Sequence, residues 1–261
     1  MDDFDIRRKA EGIVRLFRAR QPIAVLPPQL MPGDLDEAYR IRDAFETFEI
    51  TDGRGAIAGY KIGLTTPVMQ RLCGVDEPCF GAIFAREVHD RRAALPVAAY
   101  CRLGIETEIA VRLGADLPQG GDRDRVADAV ESCMAAIELL EDLRQDYRRL
   151  SAAAMVAGNV WNAGAVLGAP NADWRRLDLA RVAARLTING REIGRGTGGD
   201  VMGDPLNALA WLADKAAALG RPLRAGMIVL TGSLVPILFP MPGDHAVVEV
   251  EGLGSAELTA I

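Results

Sequence analysis

The stretch Gly104-Ile105-Glu106-Thr107-Glu108-Ile109-Ala110-Val111 lies within residues 103–113, which alternate in the manner of a β-strand. Because successive side chains of a strand point to opposite faces, the isoleucines and Thr107 share one face, and Glu106 and Glu108 share the other. At a rise of about 3.3 Å per residue, the two carboxylates lie about 6.6 Å apart. The stretch therefore predicts a strand with a pair of like charges on one face.

This carboxylate pair has two interpretations. It is either the solvent-exposed face of an edge strand or half of a site for a divalent cation. Like charges this close repel unless a positive charge lies between them, and Mg²⁺ prefers carboxylate oxygens. A third carboxylate would favour the cation. Glu138 interrupts the apolar run 134–140, and Glu141 follows this run. Both are candidates, and the spacing alone does not distinguish them.

The composition leaves few other catalytic groups in the 261 residues. Three of the 30 basic residues are lysines, and two histidines far apart disfavour a histidine-rich metal site. No Gly-x-Ser-x-Gly elbow is present, and the four cysteines form no Cys-x-x-Cys pair, which disfavours structural zinc. The net charge of −6 argues against nucleic-acid and anionic-membrane partners, and no apolar run reaches membrane length. An acidic N-terminus without signal-peptide order favours a cytoplasmic protein.

Lys61 lies in the apolar segment 56–63, which predicts a short strand that ends at Gly63. A buried lysine can act as a general base or form a Schiff base, whereas nearby carboxylates would keep it charged. A lysine that reaches solvent from an edge strand explains the pattern equally well.

The chain divides into a helical N-terminal arm, residues 1–55, and a β-rich remainder, residues 56–261. Apolar spacing predicts helices over 5–20 and 34–48, and over 124–133 before a run, 134–140, that fits a strand. Asn189-Gly190 predicts a hairpin turn, and Asp204-Pro205 opens a helix that Gly220 ends. Further strands are predicted at 163–167, 227–230, 246–250 and 256–261. The fold class is α+β.

Several segments together resemble one family. The sequence is similar to the 2-hydroxypentadienoate hydratase and 4-oxalocrotonate decarboxylase group of the fumarylacetoacetate hydrolase superfamily. The resemblance runs through nearly the whole chain. Its main segments are Gly59-Tyr60-Lys61-Ile62-Gly63-Leu64-Thr65, Gly74-Val75-Asp76-Glu77-Pro78, Glu106-Thr107-Glu108, Ala136-Ile137-Glu138, Val229-Leu230-Thr231-Gly232-Ser233 and Pro242-Gly243-Asp244.

The resemblance implies a metal centre and a catalytic lysine. The metal is Mg²⁺ or Mn²⁺, and its ligands fall on Glu106, Glu108 and Glu138, which decides the third ligand against Glu141. The family's active-site lysine falls on Lys61. Bound in this way, the cation would act as a Lewis acid on a substrate carbonyl.

The resemblance also implies the architecture and the substrate class. The core is a β-rich roll or sandwich with peripheral helices and a small helical N-terminal region, and members are usually homo-oligomers. The substrate is a small 2-oxo or 2-hydroxy acid, which Leu64, Thr65 and Ser233 would surround with polar contacts.

Five positions depart from the family pattern. Cys79 stands where hydratases often carry an acidic residue. Gly158, Trp161 and Asn162 fall in a segment that is usually Asp-Asn followed by small residues and serine, and Asp204 replaces a common histidine. We expect Cys79, Trp161 and Asn162 to contact the substrate and to change the shape of its pocket.

The expected activity is a metal-dependent hydratase of 2-hydroxy-2,4-dienoates in the meta-cleavage catabolism of aromatic compounds. A 4-oxalocrotonate-type decarboxylase is the alternative. Positive or hydrogen-bonding groups for a second carboxylate would favour it, and Arg71, Arg86 and Arg102 are candidates. A C–C hydrolase or tautomerase ranks lower, because neither His89 nor His245 lies in a matching motif. A drifted homologue that binds only a metal or a keto acid is the non-enzymatic alternative.

Overall fold

The computed structural model describes residues 2–261, and in this part of the chain six α-helices surround two β-sheets built from twelve strands. The helices are α1 Asp3–Ala19, α2 Leu35–Glu49, α3 Pro67–Cys73, α4 Arg123–Asp128, α5 Ala152–Ala157 and α6 Pro205–Ala218. The strands are β1 Ile57–Gly63, β2 Cys79–Phe84, β3 Val88–Asp90, β4 Arg92–Leu95, β5 Leu103–Leu113, β6 Val130–Glu141, β7 Asn162–Leu167, β8 Ala183–Ile188, β9 Arg191–Thr197, β10 Ile228–Leu238, β11 His245–Val250 and β12 Gly254–Ala260.

The larger sheet has the strand order β2-β1-β10-β5-β6-β7-β3. The strand that carries Glu106 and Glu108 is β5, and it lies between β10 and β6 in the middle of this sheet. Both of its faces are buried apart from half-buried Glu106 and Arg112. The interpretation of the two glutamates as the exposed face of an edge strand is therefore wrong.

Strand β6 corrects the prediction of a helix over 124–133. The helix α4 ends at Asp128, and β6 begins at Val130 and runs to Glu141. The strand is buried on both faces, so its apolar residues do not alternate with polar ones. Without that alternation, the hydrophobic pattern does not distinguish a buried strand from a buried helix.

The smaller sheet, in the order β4-β12-β11-β8-β9, packs on the larger one through contacts of β11 and β12 with β6. Its β8–β9 hairpin turns at Asn189 and Gly190, with φ values of 50° and 78°, as the Asn-Gly signal predicts. The two packed sheets with helices outside them confirm the predicted α+β roll. No helix among residues 2–261 is long and apolar enough to cross a membrane.

The N-terminal helices pack onto the sheet rather than apart from it. Ile13 of α1 and Phe45 of α2 belong to the same hydrophobic cluster as residues of the larger sheet. The change from helix to strand falls between Arg54 and Ile57, close to the predicted boundary. The division of the chain into an N-terminal arm, residues 1–55, and a catalytic domain, residues 56–261, stays a prediction.

Arg42 joins α2 to the larger sheet. Its guanidinium is fully buried, lies over the rings of Tyr39 and Phe80, and pairs with Glu46 at 3.1 Å between Nε and Oε1. We expect Arg42→Leu to lower the free energy of unfolding by about 3 kcal/mol, because a buried carboxylate loses one of its charge partners. Urea unfolding measures this loss. Arg8→Leu, which removes an exposed ion pair, is the control, and equal losses in the two variants would contradict the assigned role of Arg42.

Candidate active site

Strand register brings three carboxylates together. Glu106 of β5 is directly opposite Glu138 of β6, and Glu108 lies two residues further along the same face of β5. One carboxylate oxygen from each residue lies within 4.8 Å of the others. Glu141 is not in this cluster, and its Oε1 instead accepts a hydrogen bond from the Cys101 backbone N–H at 2.8 Å. The geometry thus groups Glu138, rather than Glu141, with the β5 pair.

The carboxylates of Glu108 and Glu138 each have one oxygen held by the protein and one left free. The Gly232 backbone N–H donates to Glu108 Oε2 at 2.7 Å. Lys61 Nζ and Asn162 Nδ2 both donate to Glu138 Oε1, at 2.9 and 3.0 Å. Glu108 Oε1 and Glu138 Oε2 are buried and have no hydrogen-bond partner among the described residues.

The two oxygens without partners indicate whether the carboxylate cluster suits a cation. A buried polar atom without a partner costs about 1–3 kcal/mol, so two such atoms on residues of one cluster favour a compensating ligand. The candidate metal-ligand atoms are all carboxylate oxygens, which suit a hard cation such as Mg²⁺ or Mn²⁺. The residues present therefore fit a hard divalent cation held by Glu106, Glu108 and Glu138.

Charge in the cluster is unbalanced. Burial and the neighbouring Glu138 raise the pKa of Glu106 to about 7, and burial together with both neighbours raises the pKa of Glu108 well above its ordinary value. Burial opposes the charge on Lys61, but the three carboxylates outweigh it and raise the pKa of its ammonium. A single ammonium faces three carboxylates, which leaves negative charge for a divalent cation to neutralise.

Lys61 is held from both sides in β1. Its backbone is paired with Leu230 of β10 and with Gly81 of β2, and the residue is 2% exposed. The interpretation of Lys61 as a lysine that reaches solvent from an edge strand is therefore wrong. In contact with Glu138 the side chain is an ammonium, which suits proton transfer better than Schiff-base formation.

A cavity of about 390 Å³ opens beside this cluster. Lys61 and Glu106 lie on its wall, together with four of the residues predicted to contact substrate, namely Leu64, Thr65, Trp161 and Ser233. Ser233 Oγ donates to the Val235 carbonyl at 2.7 Å, so its lone pairs remain available as acceptors. Other wall residues, among them Tyr147, Val160 and Asp200, lie in three-residue 3-10 helices, which are too short to produce a periodic sequence pattern.

Cys79 and Asn162 do not line the cavity, and their contact with a substrate stays a prediction. Cys79 is buried beside Gly63 at the start of β2, and burial raises the pKa of its thiol to about 12. Asn162 lies behind Glu138, where it donates to that carboxylate. Asp204, another departure from the family pattern, caps α6 and pairs with Arg123 at 2.7 Å.

The turn after β1 shapes the polar end of the cavity. Leu64 has a φ of 58°, and its carbonyl accepts a hydrogen bond from Gln70 Nε2 at 2.9 Å. Gly232 has a φ of 128°, and a Cβ there would come 2.7 Å from the Thr65 side chain. Only glycine fits at this approach of β10 to the turn, and that glycine also supplies the N–H that binds Glu108.

Asn162 is expected to orient Glu138 for a cation. We predict that Asn162→Ala weakens Mn²⁺ binding by about 10- to 100-fold, because groups that hold a metal ligand in place typically contribute this much. Isothermal titration calorimetry measures the affinity. Asn171→Ala, which removes an asparagine bonded to the Gly252 carbonyl outside the cluster, is the matched control. Unchanged binding in Asn162→Ala would contradict the role.

Comparison with known proteins finds one matching family and several named relatives of this chain. Residues 81–260 match the family described as fumarylacetoacetate (FAA) hydrolase C-terminal. The chain is 36% identical over 257 residues to a 2-keto-4-pentenoate hydratase from Paraburkholderia phymatum, covering 97% of each chain. It is 29% identical to a 2-hydroxyhexa-2,4-dienoate hydratase from Comamonas testosteroni, covering 97% of this chain and 96% of that one.

Solved structures share the fold. The 4-oxalocrotonate decarboxylase from Pseudomonas putida G7, complexed with magnesium and adipate, superposes with a TM-score of 0.92 at 23% identity, covering 100% of this chain and 99% of that chain. A fumarylpyruvate hydrolase from Pseudomonas aeruginosa, in complex with Mn²⁺ and pyruvate, gives a TM-score of 0.59 at 17% identity and covers 77% of this chain and 88% of that chain. At these sequence identities, the similarity to the two structures shows a shared fold alone.

Proposed function

This chain belongs to the fumarylacetoacetate hydrolase family, and we propose that it is a divalent-metal-dependent hydratase of 2-hydroxy-2,4-dienoates. The product would be a 4-hydroxy-2-oxo acid, as in the meta-cleavage catabolism of aromatic compounds. The observation that carries the proposal is Lys61 in contact with the carboxylate cluster at the polar end of the cavity. The hydratase names of relatives that align over almost the whole chain support it.

The polar end of the cavity suits the acid end of such a substrate. Glu106, Glu108 and Glu138 would hold Mg²⁺ or Mn²⁺, and a bound cation would supply Lewis-acid polarisation of the 2-oxo group. Thr65 and Ser233 carry hydroxyl groups on the same part of the wall. They would fix the orientation of the substrate's oxygen atoms by hydrogen bonds.

Lys61 is placed to move the proton that the reaction needs. Its ammonium would give a proton to C5 of the dienol and recover one from the 2-hydroxyl group, which leaves a 2-oxo-3-enoate and an unchanged lysine. Water then adds across the C3–C4 double bond, with its oxygen on C4 and its proton on C3. Glu138 holds the ammonium at 2.9 Å and so keeps its position fixed through both proton transfers.

Among the described residues, the arginines and histidines considered for the alternatives do not line this cavity. Of the arginines considered for a second carboxylate, Arg102 pairs with Asp142, Arg86 lines a different cavity, and Arg71 is not on this wall. A hydrolase with a His–Glu pair is also disfavoured, since His89 lines that other cavity and His245 pairs with Glu257 at 3.2 Å outside both.

The proposal is tested by ultraviolet spectroscopy. The Mg²⁺-loaded protein is mixed with 2-hydroxypenta-2,4-dienoate or 2-hydroxyhexa-2,4-dienoate, and we expect the absorbance of the conjugated dienol to decay. Chelation with EDTA should stop the decay, and added Mg²⁺ should restore it. No decay with either compound would contradict the proposal, and CO₂ release from 4-oxalocrotonate would support the decarboxylase instead. Mg²⁺ as the natural cation, a cytoplasmic location and a homo-oligomeric state stay predictions.

A further inference from the structure

Three consecutive residues beside the cavity adopt left-handed backbone conformations. Asn159, Val160 and Trp161 have φ values of 55°, 49° and 60°. Such angles are uncommon for residues other than glycine, and for a β-branched residue such as Val160 they are strained. Residues held in strained conformations persist only where the surrounding structure fixes them, and they concentrate at ligand-binding sites.

Asn159 fixes this turn to the larger sheet. Its side chain is 1% exposed and makes two hydrogen bonds to Ala82 of β2: the Ala82 N–H donates to Oδ1 at 2.6 Å, and Nδ2 donates to the Ala82 carbonyl at 2.9 Å. A Cβ at Gly81 would come 2.4 Å from the Asn159 carbonyl oxygen, so glycine is needed for this close approach. The strained turn is therefore held by a strand on one side and faces the cavity on the other.

The turn contributes to an apolar cavity wall. Val160 and Trp161 line the cavity, and the indole packs edge-on against the ring of Tyr147, with centroids 6.1 Å apart. Leu150, Met155 and Ile237 continue the same apolar lining. We call these six residues the turn wall.

The charge on the cavity wall bears on what the turn wall can accept. Among the described residues that line the cavity, the charged ones are Lys61, Glu106 and Asp200, and none is an arginine. Lys61 is already paired with Glu138, and Asp200 is itself negative. A second carboxylate packed against the turn wall would lose water without a positive side chain on the wall to pair with, which is costly.

The size of the cavity, like the charge on its wall, favours a substrate with an uncharged tail. Its volume of about 390 Å³ lies in the range of pockets that hold drug-sized ligands, which is more than a five-carbon acid fills. We propose that the turn wall is a subsite for an uncharged apolar substituent that extends beyond C5 of the substrate. Asn159 acts as a positioning residue for this subsite. The inference rests on the proposed function, which supplies the acid end of the ligand.

Binding of unreactive 2-oxo acids to the Mn²⁺-loaded protein tests the subsite. Isothermal titration calorimetry compares 2-oxopentanoate, 2-oxooctanoate and 2-oxooctanedioate, which are identical as far as C5 and differ beyond it. We expect 2-oxooctanoate to bind about 10- to 50-fold more tightly than 2-oxopentanoate, from the burial of three further carbon atoms. The dicarboxylate should bind at least about 10-fold more weakly than 2-oxooctanoate.

Variants assign this preference to the turn wall. Trp161→Ala should reduce the ratio of 2-oxooctanoate to 2-oxopentanoate affinity by about 10-fold. Asn159→Ala should shift the ratio in the same direction. If Asn159→Ala does not fold, Val160→Gly takes its place, because glycine adopts the left-handed φ without strain, and it should lower the ratio as well. Trp211→Ala, a tryptophan that packs against Phe80 outside the cavity, should leave the ratio unchanged.

The outcomes separate this inference from the proposed function. If 2-oxooctanoate binds no more tightly than 2-oxopentanoate, or if the dicarboxylate binds equally well, the subsite is overturned while 2-oxopentanoate binding leaves the proposed function standing. A ratio that is unaffected by both Trp161→Ala and Val160→Gly would also overturn it. Absence of binding by all three acids would overturn the proposed function and the subsite together.

Discussion

Lys61→Met is expected to lower turnover of a 2-hydroxy-2,4-dienoate by about 1,000-fold while Mn²⁺ binding is retained or strengthened. Methionine has a similar length and fits a buried strand position, but it carries no proton, and positioned acid–base groups contribute about 10²- to 10⁴-fold to rate. The Lys61 ammonium lies 2.9 Å from Glu138, so its removal also removes a positive charge that opposes a cation in the cluster. Turnover and cation affinity should therefore move in different directions.

Steady-state absorbance assays and calorimetry measure the two effects on the same preparation. Lys215→Met is the matched control, because Lys215 pairs with a partly exposed carboxylate, that of Glu77, outside the cavity. We expect this control to keep its turnover within about twofold. A Lys61→Met protein that keeps more than a tenth of the wild-type turnover would rule out the lysine as the proton carrier.

Glu108→Gln is expected to weaken Mn²⁺ binding by at least about 100-fold and to reduce turnover to the level of Lys61→Met. The amide keeps the shape of the side chain but removes one of three negative charges from the cluster. The loss should exceed that of a residue that merely orients a ligand, for which about 10- to 100-fold is usual. The Gly232 N–H that now binds Glu108 Oε2 also loses a charged acceptor.

Glu141→Gln is the control for this variant, since Glu141 follows Glu138 on β6 but accepts a hydrogen bond from Cys101 outside the cluster. Its Mn²⁺ affinity should equal that of the wild type. Equal effects of the two substitutions, or full Mn²⁺ affinity in Glu108→Gln, would show that the carboxylate cluster is not the metal centre.

Elements of the fold were predictable where the sequence pattern was regular. Residues 103–113 alternate and form β5 over that range, and Asn189-Gly190 forms the predicted hairpin turn. Strand β10 was predicted only over 227–230, because bulges after Leu230 interrupt the alternation of a strand that continues to Leu238. The short elements α3, α5 and β2 were missed, since six or seven residues leave little periodicity to detect.

The site was predictable at the level of residue type and less so at the level of geometry. Spacing placed Glu106 and Glu108 on one face, but only the β5–β6 register brings Glu138 opposite Glu106. Cys79 and Asn162 lie near the carboxylate cluster but do not line the cavity. Whether a residue lines the cavity depends on which side of a strand or turn faces it. Asn159 and Val160 carried no signal, because their role depends on left-handed backbone angles that the sequence does not encode in a recognisable pattern.

Identification of the reaction product tests the proposed hydratase activity. Loss of absorbance alone does not separate hydration from simple ketonisation, since both remove the dienol conjugation. Proton NMR of 2-hydroxyhexa-2,4-dienoate incubated with the Mg²⁺-loaded protein resolves them. We expect 4-hydroxy-2-oxohexanoate, with an ethyl group next to a carbon that bears one hydrogen and a hydroxyl group. Lys61→Met and Glu108→Gln should form it about 1,000-fold more slowly. Accumulation of a 2-oxohexenoate without a C4 hydroxyl group, or hydration undiminished in those variants, would contradict the proposed activity.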